Sequence, residues 1–289
     1  GGMNMGSPWS TPPVYFADFD AAVAIPDPAD GMEKLSSKVD SGDHANLNDV
    51  GYGAEVTDIL SPHDTWSLND GDGFTTAGDS APSNTPFAMR DPTVGANPLT
   101  LTGTTTWTND AARGPVLSFD GATGYAAGGG PVLNTAGSYS VSAWVDISSL
   151  PTHNQTVAAQ DGAVNSPFYL QYNYVHGNTP AWAMTFTSAD TTGPGFTVAY
   201  AKGATANTWT HLVGTYNAAT HTAQLYVNGA LAGTATGVTS WSAANAFTVG
   251  RAKYNGNSCD FFPGAISDVQ AWNYTLTASQ VTALYKQVP

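Results

Sequence analysis

Cleaving a glycosidic bond takes two carboxyl groups flanking it, one acting as acid and the other as base or nucleophile. The only glutamates of this chain, Glu33 and Glu55, both lie in its first 62 residues. Beyond them such chemistry would fall to aspartates, and these sit mostly in turns: Asp120 in FDG, Asp161 in QDG, Asp190 in SAD. A turn aspartate ordinarily accepts hydrogen bonds from its own backbone. A nucleophilic or lyase mechanism would want a histidine with a Tyr, Ser or Asp partner. His211 falls in strand-forming sequence beside Trp209, where a core or half-buried histidine is the ordinary outcome, while His153, His176 and His221 fall in turns. No GxSxG, HExxH or phosphate-cradling glycine loop occurs. Catalysis is therefore the alternative reading rather than the leading one.

Other residues are better suited to holding a ligand than to turning one over. Sugars offer C–H patches to aromatic faces and hydroxyls to amides. In FYLQYNY, Phe168, Leu170 and Tyr172 share one strand face, and Tyr169, Gln171 and Asn173 share the other. Tyr174 and Trp182 lie near the adjoining turn, and Arg251, Lys253, Tyr254 and Asn255 form a polar loop after FTVGR. The candidate glycan-binding set is Tyr169, Gln171, Tyr174, Trp182, Arg251, Tyr254 and Asn255. Strand aromatics also fill cores, and the sequence leaves both roles open. Asp268, in ISDV, puts a charge into an apolar strand, which costs free energy unless it is coordinated or hydrogen-bonded. A hard cation such as calcium, which takes oxygen ligands, and neighbouring N–H groups would each satisfy it.

The elements that must position these residues are strands. Trp209–Thr236 reads as three antiparallel strands in a meander, with Asn228-Gly229 as a two-residue turn whose φ > 0 both residues accept. Tyr139–Ile147 alternates Val141, Ala143 and Val145 against Ser142, Trp144 and Asp146. Further strands are expected at Trp66–Leu68, Leu99–Trp107, Val116–Phe119, Gln155–Gln160, Pro167–Tyr174, Ala181–Thr187, Phe196–Ala201, Ala246–Gly250 and Ala265–Trp272. Their spacing and their Gly/Asn/Pro turns predict a sandwich. One helix stands out at the end, where Thr277-Ala278-Ser279-Gln280 has the capping-box pattern and Val281, Leu284 and Tyr285 follow at helical spacing.

Composition narrows the function classes. Charged residues make up only 10% of 289, whereas Gly, Thr, Ser and Asn are abundant, a balance common in secreted β proteins. Eight Lys and Arg in the whole chain disfavour nucleic acid, whose phosphates need basic partners. Eleven Asp and two Glu against two Lys put −11 of the net −14 into residues 1–72. Residues 1–62 read as an acidic segment or linker with little core of its own, with a strand within Thr11–Asp20 and a helical turn around Glu33–Val39. That segment could also meet a protein partner. Cys259 has no cysteine to pair with, no run approaches the length of a membrane span, and GGMNMGSP lacks a signal-peptide apolar region.

From WSLNDGDGFTTAGDS through SFDGATGYA, YSVSAWVDI, WTHLVGTYN, LYVNGALAG, FTVGR and FFPGAISDVQAWNYTLTASQVTALY, the chain resembles the laminin-G-like, concanavalin-A-like jelly roll of extracellular bacterial proteins. The last segment is also similar to the C-terminal stretch of pentraxins. The resemblance covers about residues 64–289 and implies an all-β fold: a two-sheet antiparallel jelly-roll sandwich over 63–289, closed by a short C-terminal helix. It implies that the first strand, near Trp66, pairs close to the last, near Val269–Trp272. It also implies a structural calcium at the Asp79 loop, with Asp268 and Asn84 as further ligands. The departure from the family is an insertion, Ala81–Pro98. The expected function is a non-catalytic carbohydrate- or surface-binding adhesion module of a secreted bacterial protein. Its partner would be a polysaccharide or cell-surface glycan, and its place extracellular or at the cell surface. The alternatives are a glycoside hydrolase or polysaccharide lyase on the same fold, and a structural module of a phage tail or surface assembly.

Overall fold

The computed structural model describes residues 61–81 and 93–287. The chain divides after Leu60, and the described residues belong to the unit Ser61–Pro289. The strand and helical turn expected within residues 1–60, and the candidate ligand Asn84, lie outside the described residues.

In chain order the strands are β1 (Asp64–Trp66), β2 (Thr76–Ala77), β3 (Leu99–Thr102), β4 (Thr105–Asp110), β5 (Gly114–Asp120), β6 (Tyr125–Ala127), β7 (Tyr139–Ile147), β8 (Gln155–Gln160) and β9 (Phe168–Tyr172). Then come β10 (Ala181–Thr187), β11 (Phe196–Lys202), β12 (Thr210–Asn217), β13 (Thr222–Val227), β14 (Ala230–Ala235), β15 (Phe247–Val249), β16 (Ala252–Tyr254), β17 (Asn257–Cys259) and β18 (Pro263–Trp272). They form two antiparallel sheets. The first runs β14-β13-β12-β7-β18-β5-β4, with β1 also paired to β18, and the second runs β11-β10-β9-β8-β15-β6-β3-β2. β16 and β17 form a separate hairpin.

Alternation sets which side chains fill the space between the sheets. Val141, Ala143, Val145 and Ile147 of β7 meet Phe168, Leu170 and Tyr172 of β9 and Trp182, Met184 and Phe186 of β10 in one core. Trp66 of β1 stacks on Phe247 of β15 across the gap, with ring centroids 4.9 Å apart. Gly214 of β12 leaves room for Met184, whose Sδ would lie 2.5 Å from an added Cβ. Trp66 pairs with Val269, so the first and last strands close the jelly roll as the resemblance implied. Asn228 and Gly229 both take positive φ in the turn between β13 and β14.

Two expectations need correction. The strand at Trp66 spans Asp64–Trp66 and stops before Leu68, which is buried at φ 57° in the turn that follows. Leu99–Trp107 is two strands, β3 and β4, in different sheets. Gly103, at φ 70°, makes the corner, where an added Cβ would meet the Thr123 carbonyl oxygen at 2.1 Å. The C-terminal helix α1 (Ala278–Tyr285) forms with both halves of its capping box, Thr277 side chain to Gln280 N–H and Gln280 side chain to Thr277 N–H. Among the described residues no helix is long and apolar enough to cross a membrane.

Candidate functional site

The outer face of the second sheet carries a groove of about 500 Å³. Because Phe168, Leu170 and Tyr172 point into the core, Tyr169, Gln171 and Asn173 point out and make its floor with Thr185 of β10. Val198 and Phe196 of β11 form one side. Tyr254, Cys259 and Asp260, from the β16–β17 hairpin and the residue after it, line the groove with His153, Asn154, Val175 and His176 from two loops.

The floor is an amide ladder. Gln171 Nε2 donates to Thr156 Oγ1 at 2.8 Å. Asn173 Nδ2 donates to Gln171 Oε1 at 3.0 Å and to Thr185 Oγ1 at 3.2 Å. Asn173 Oδ1 accepts from the His176 N–H, and Asn154 Oδ1 accepts from the Tyr174 and Val175 N–H groups. These bonds fix the amides in place, and Thr156, Gln171, Asn173 and Thr185 are all buried. Tyr169 donates its hydroxyl to the Lys253 carbonyl at 2.7 Å, and burial pushes its pKa up. Above this polar floor, Phe196 and Tyr254 face each other with ring centroids 5.6 Å apart. Phe196 is 51% exposed and Val175 65%, so apolar surface is presented to the groove mouth. Asp260 is the groove's carboxylate. Burial lifts it to about 6, partly offset by the charge of His153. Burial also pushes the Cys259 thiol up to about 12, so it is not a ready nucleophile.

Of the seven residues expected from the sequence, the structure brings Tyr169, Gln171 and Tyr254 into this groove. Trp182 belongs to the core, packed edge-on to Tyr172, and Tyr174 packs against that core half-buried. Arg251 is buried, donating to both oxygens of Asp161 at 3.1 and 2.9 Å and lying over the Tyr125 ring. Asn255 turns the β16–β17 hairpin at φ 50° and accepts the Gly193 N–H. The groove adds Asn154, Thr185, Phe196, Val198 and Asp260, which sequence reasoning missed. Asn173, Thr185 and Val198 could have been found by extending the outward-facing positions of three neighbouring strands. Nothing local marks Asp260.

The metal candidates separate. Asp79 Oδ1 accepts the Thr65 and Ala81 N–H groups, and its Oδ2 accepts the Asn97 N–H. Burial, then a hydrogen bond to the Asp64 carboxyl, raises it to about 7. Asp64 is buried and also accepts from the Asn97 side chain at 2.7 Å. Two carboxyl groups in contact must share a proton or a cation, and their oxygens are the hard donors that calcium takes. Asp64 also meets His63 Nδ1 through its other oxygen, so each oxygen of this carboxyl pair already has a hydrogen-bond partner. Asp268 instead faces Arg113, at 3.9 Å. Among the described residues no group of three or more His, Cys, Asp and Glu side chains gathers as a metal cluster.

On the outer side of the first sheet, His211 is buried against Trp144 and Tyr285, and burial followed by the Arg113 charge lowers it to about 3. Arg113 lies over the Trp144 ring at 4.4 Å. This is the buried histidine expected of a structural role.

The model of the concanavalin A-like lectin/glucanases superfamily matches residues 120–282, more than half the chain. The chain belongs to that superfamily. Among curated proteins none matches significantly. Among solved structures, the chain is similar to domain 4 of AbnA, a GH43 extracellular arabinanase from Geobacillus stearothermophilus in complex with arabinotriose. There the identity is 20%, the TM-score 0.55, and the coverage 78% of this chain and 98% of that one. It is similar to the binding domain of botulinum neurotoxin DC in complex with SialylT at 13% identity and TM-score 0.56, over 80% of this chain and 52% of that one. A Trypanosoma rangeli sialidase matches at 13% identity and TM-score 0.51, over 78% of this chain and 32% of that one. The chain thus spans about half of the toxin domain and a third of the sialidase. Similarity at this identity establishes the shared fold.

Proposed function

We propose that this superfamily member is a non-catalytic, extracellular carbohydrate-binding module that holds a polysaccharide chain in the groove over β8–β11. The observation that supports it is the groove's make-up: a floor of fixed amides and hydroxyls beside an aromatic pair, the exposed Phe196 and the half-buried Tyr254. Amides read sugar hydroxyls, and aromatic faces take the C–H patches between them. Glycoside hydrolysis would need two carboxyls flanking the bond, and the groove is lined by one, Asp260. The neighbours' ligands, arabinotriose and SialylT, are consistent with such a role on this fold. As part of a longer secreted protein, the module would concentrate its parent on a glycan surface.

A glycan array probed with the protein tests this reading. Binding is expected to fall about tenfold in Phe196→Ala, roughly 1.4 kcal/mol for one lost aromatic contact. A similar fall is expected in Gln171→Ala. Phe196 is half-exposed, so its variant keeps the wild-type melting temperature. Release of reducing ends from a bound polysaccharide would instead favour hydrolysis.

Calcium belongs in the same reading as a structural ion. Asp64 and Asp79 would hold it at the start of β1, where Asn97 already ties the two carboxylates to the following loop. It would supply the positive charge these two groups otherwise share as a proton.

A further inference from the structure

We propose that the groove selects a glycan bearing a free amino group, and that Asp260 determines this specificity. This rests on the reading of the groove as a glycan site. Asp260 lies in the groove wall beside Tyr254 and Cys259, with its own backbone fixed at φ 55° and its carbonyl accepting the Thr156 N–H at 2.6 Å. Its carboxylate oxygens have no hydrogen-bond donor among the described residues. A carboxylate taken largely out of water with no donor costs free energy that a ligand can return.

The lining offers no Lys or Arg to an acidic sugar, and its basic side chains are His153 and His176. A hydroxyl would give Asp260 one neutral hydrogen bond. An ammonium gives shorter, charge-assisted bonds and a cation that the facing Tyr254 and Phe196 rings attract as well. An N-acetyl group removes that charge and adds bulk. Of the three substituents, the amine is the one this wall complements.

The pH dependence follows from the groups that line the groove with Asp260: His153, whose charge acts on it, Tyr169 on the floor, and Tyr254 and Cys259 on the adjoining hairpin. Tyr169 and Cys259 stay neutral. Burial holds Asp260 at about 6, so the free groove is largely protonated there at pH 5 and ionised at pH 7. Affinity for an amino sugar therefore rises from pH 5 to pH 7 as Asp260 ionises.

The experiment uses an array of oligosaccharides in matched triplets that differ only in one ring substituent: hydroxyl, acetamido or free amine. Titration of the strongest binders at pH 5 and pH 7 follows, together with a lysine-rich peptide. The free-amine member is expected to bind at least about tenfold tighter than its hydroxyl twin, as one charge-assisted contact predicts. Asp260→Asn is expected to erase the preference, since Asn tolerates the same left-handed backbone and keeps the shape. The wild-type triplet comparison does not depend on how that variant folds. Equal binding across a triplet, or a preference kept in a folded Asp260→Asn, overturns the inference and leaves the glycan reading standing. Peptide binding as tight as that of the amino sugar overturns it too. Binding to no glycan overturns both.

Discussion

Asp79 and His211 show how burial sets chemistry one residue at a time, and their effects on stability fall in different pH ranges. Asp79 is raised to about 7, so the native state holds a proton that the unfolded chain, near 3.8, has released. Native protein binds the extra proton, and stability must fall as pH rises through 7. His211 is lowered to about 3, so it costs stability only below about 6.5, where the unfolded chain takes up a proton the native state refuses. Between pH 6.5 and 8.5 Asp79 therefore dominates, with Asp260 adding the tail of its titration from about 6. The melting temperature in chelator is expected to drop over this interval. Asp79→Asn should flatten the slope. Millimolar calcium should restore the wild type at pH 8.5, where both carboxylates are charged, and do little for the variant. A chelator-independent, flat profile would remove calcium from the Asp64–Asp79 pair. None of this was visible from Asp79 alone. Its place in a loop was legible, whereas the partner that perturbs it, Asp64, lies across a fold contact no spacing announces.

At the scale of elements, the two sheets meet at one edge through a glycine. Gly233 of β14 lies against the backbone of Tyr200 in β11, where an added Cβ would sit 2.6 Å from the Tyr200 carbonyl oxygen and 2.7 Å from its nitrogen. The edge strands of both sheets are thereby covered by one another. Backbone cannot yield as a side-chain tip can. Gly233→Ala is expected to cost about 1–3 kcal/mol, in the range of other overpacked sites, read as a lower urea midpoint with an unchanged m-value. Since Phe196 and Val198 ride on β11, glycan affinity should weaken with it. The strand order and inward faces of β7, β9 and β12 were legible because alternation is local. The corner at Gly103 was not. Alternation runs through Leu99, Leu101, Gly103, Thr105 and Trp107 without a break, and only the close approach of Thr123 requires the chain to change sheets there. The groove was half legible for the same reason. Tyr169 and Gln171 follow from period two, whereas Phe196, Asn154 and Asp260 arrive from elements distant in sequence.

At the scale of the whole molecule, the core and the groove draw on the same stretch of chain. Among the described residues, the main apolar cluster lies between Trp66 and Ala271, and the groove lining between His153 and Asp260. The ten acidic and two basic residues of 1–60 contribute −8 to the net charge of −14. A fragment of residues 61–289 should therefore unfold in a single cooperative transition and keep the groove. Charge is where the two proteins would differ. At physiological salt, exposed charges beyond about 8 Å are screened, so the fragment and full chain should bind the amino sugar within about twofold of one another. At about 10 mM salt the screening length is about 30 Å, and the full chain should bind it faster than the fragment while dissociation stays the same. Surface-plasmon kinetics at the two salt concentrations separate these terms. A fragment that folds but loses affinity even at high salt would mean that the first sixty residues contribute contacts as well as charge, and the groove over β8–β11 would not then be the whole of the binding surface.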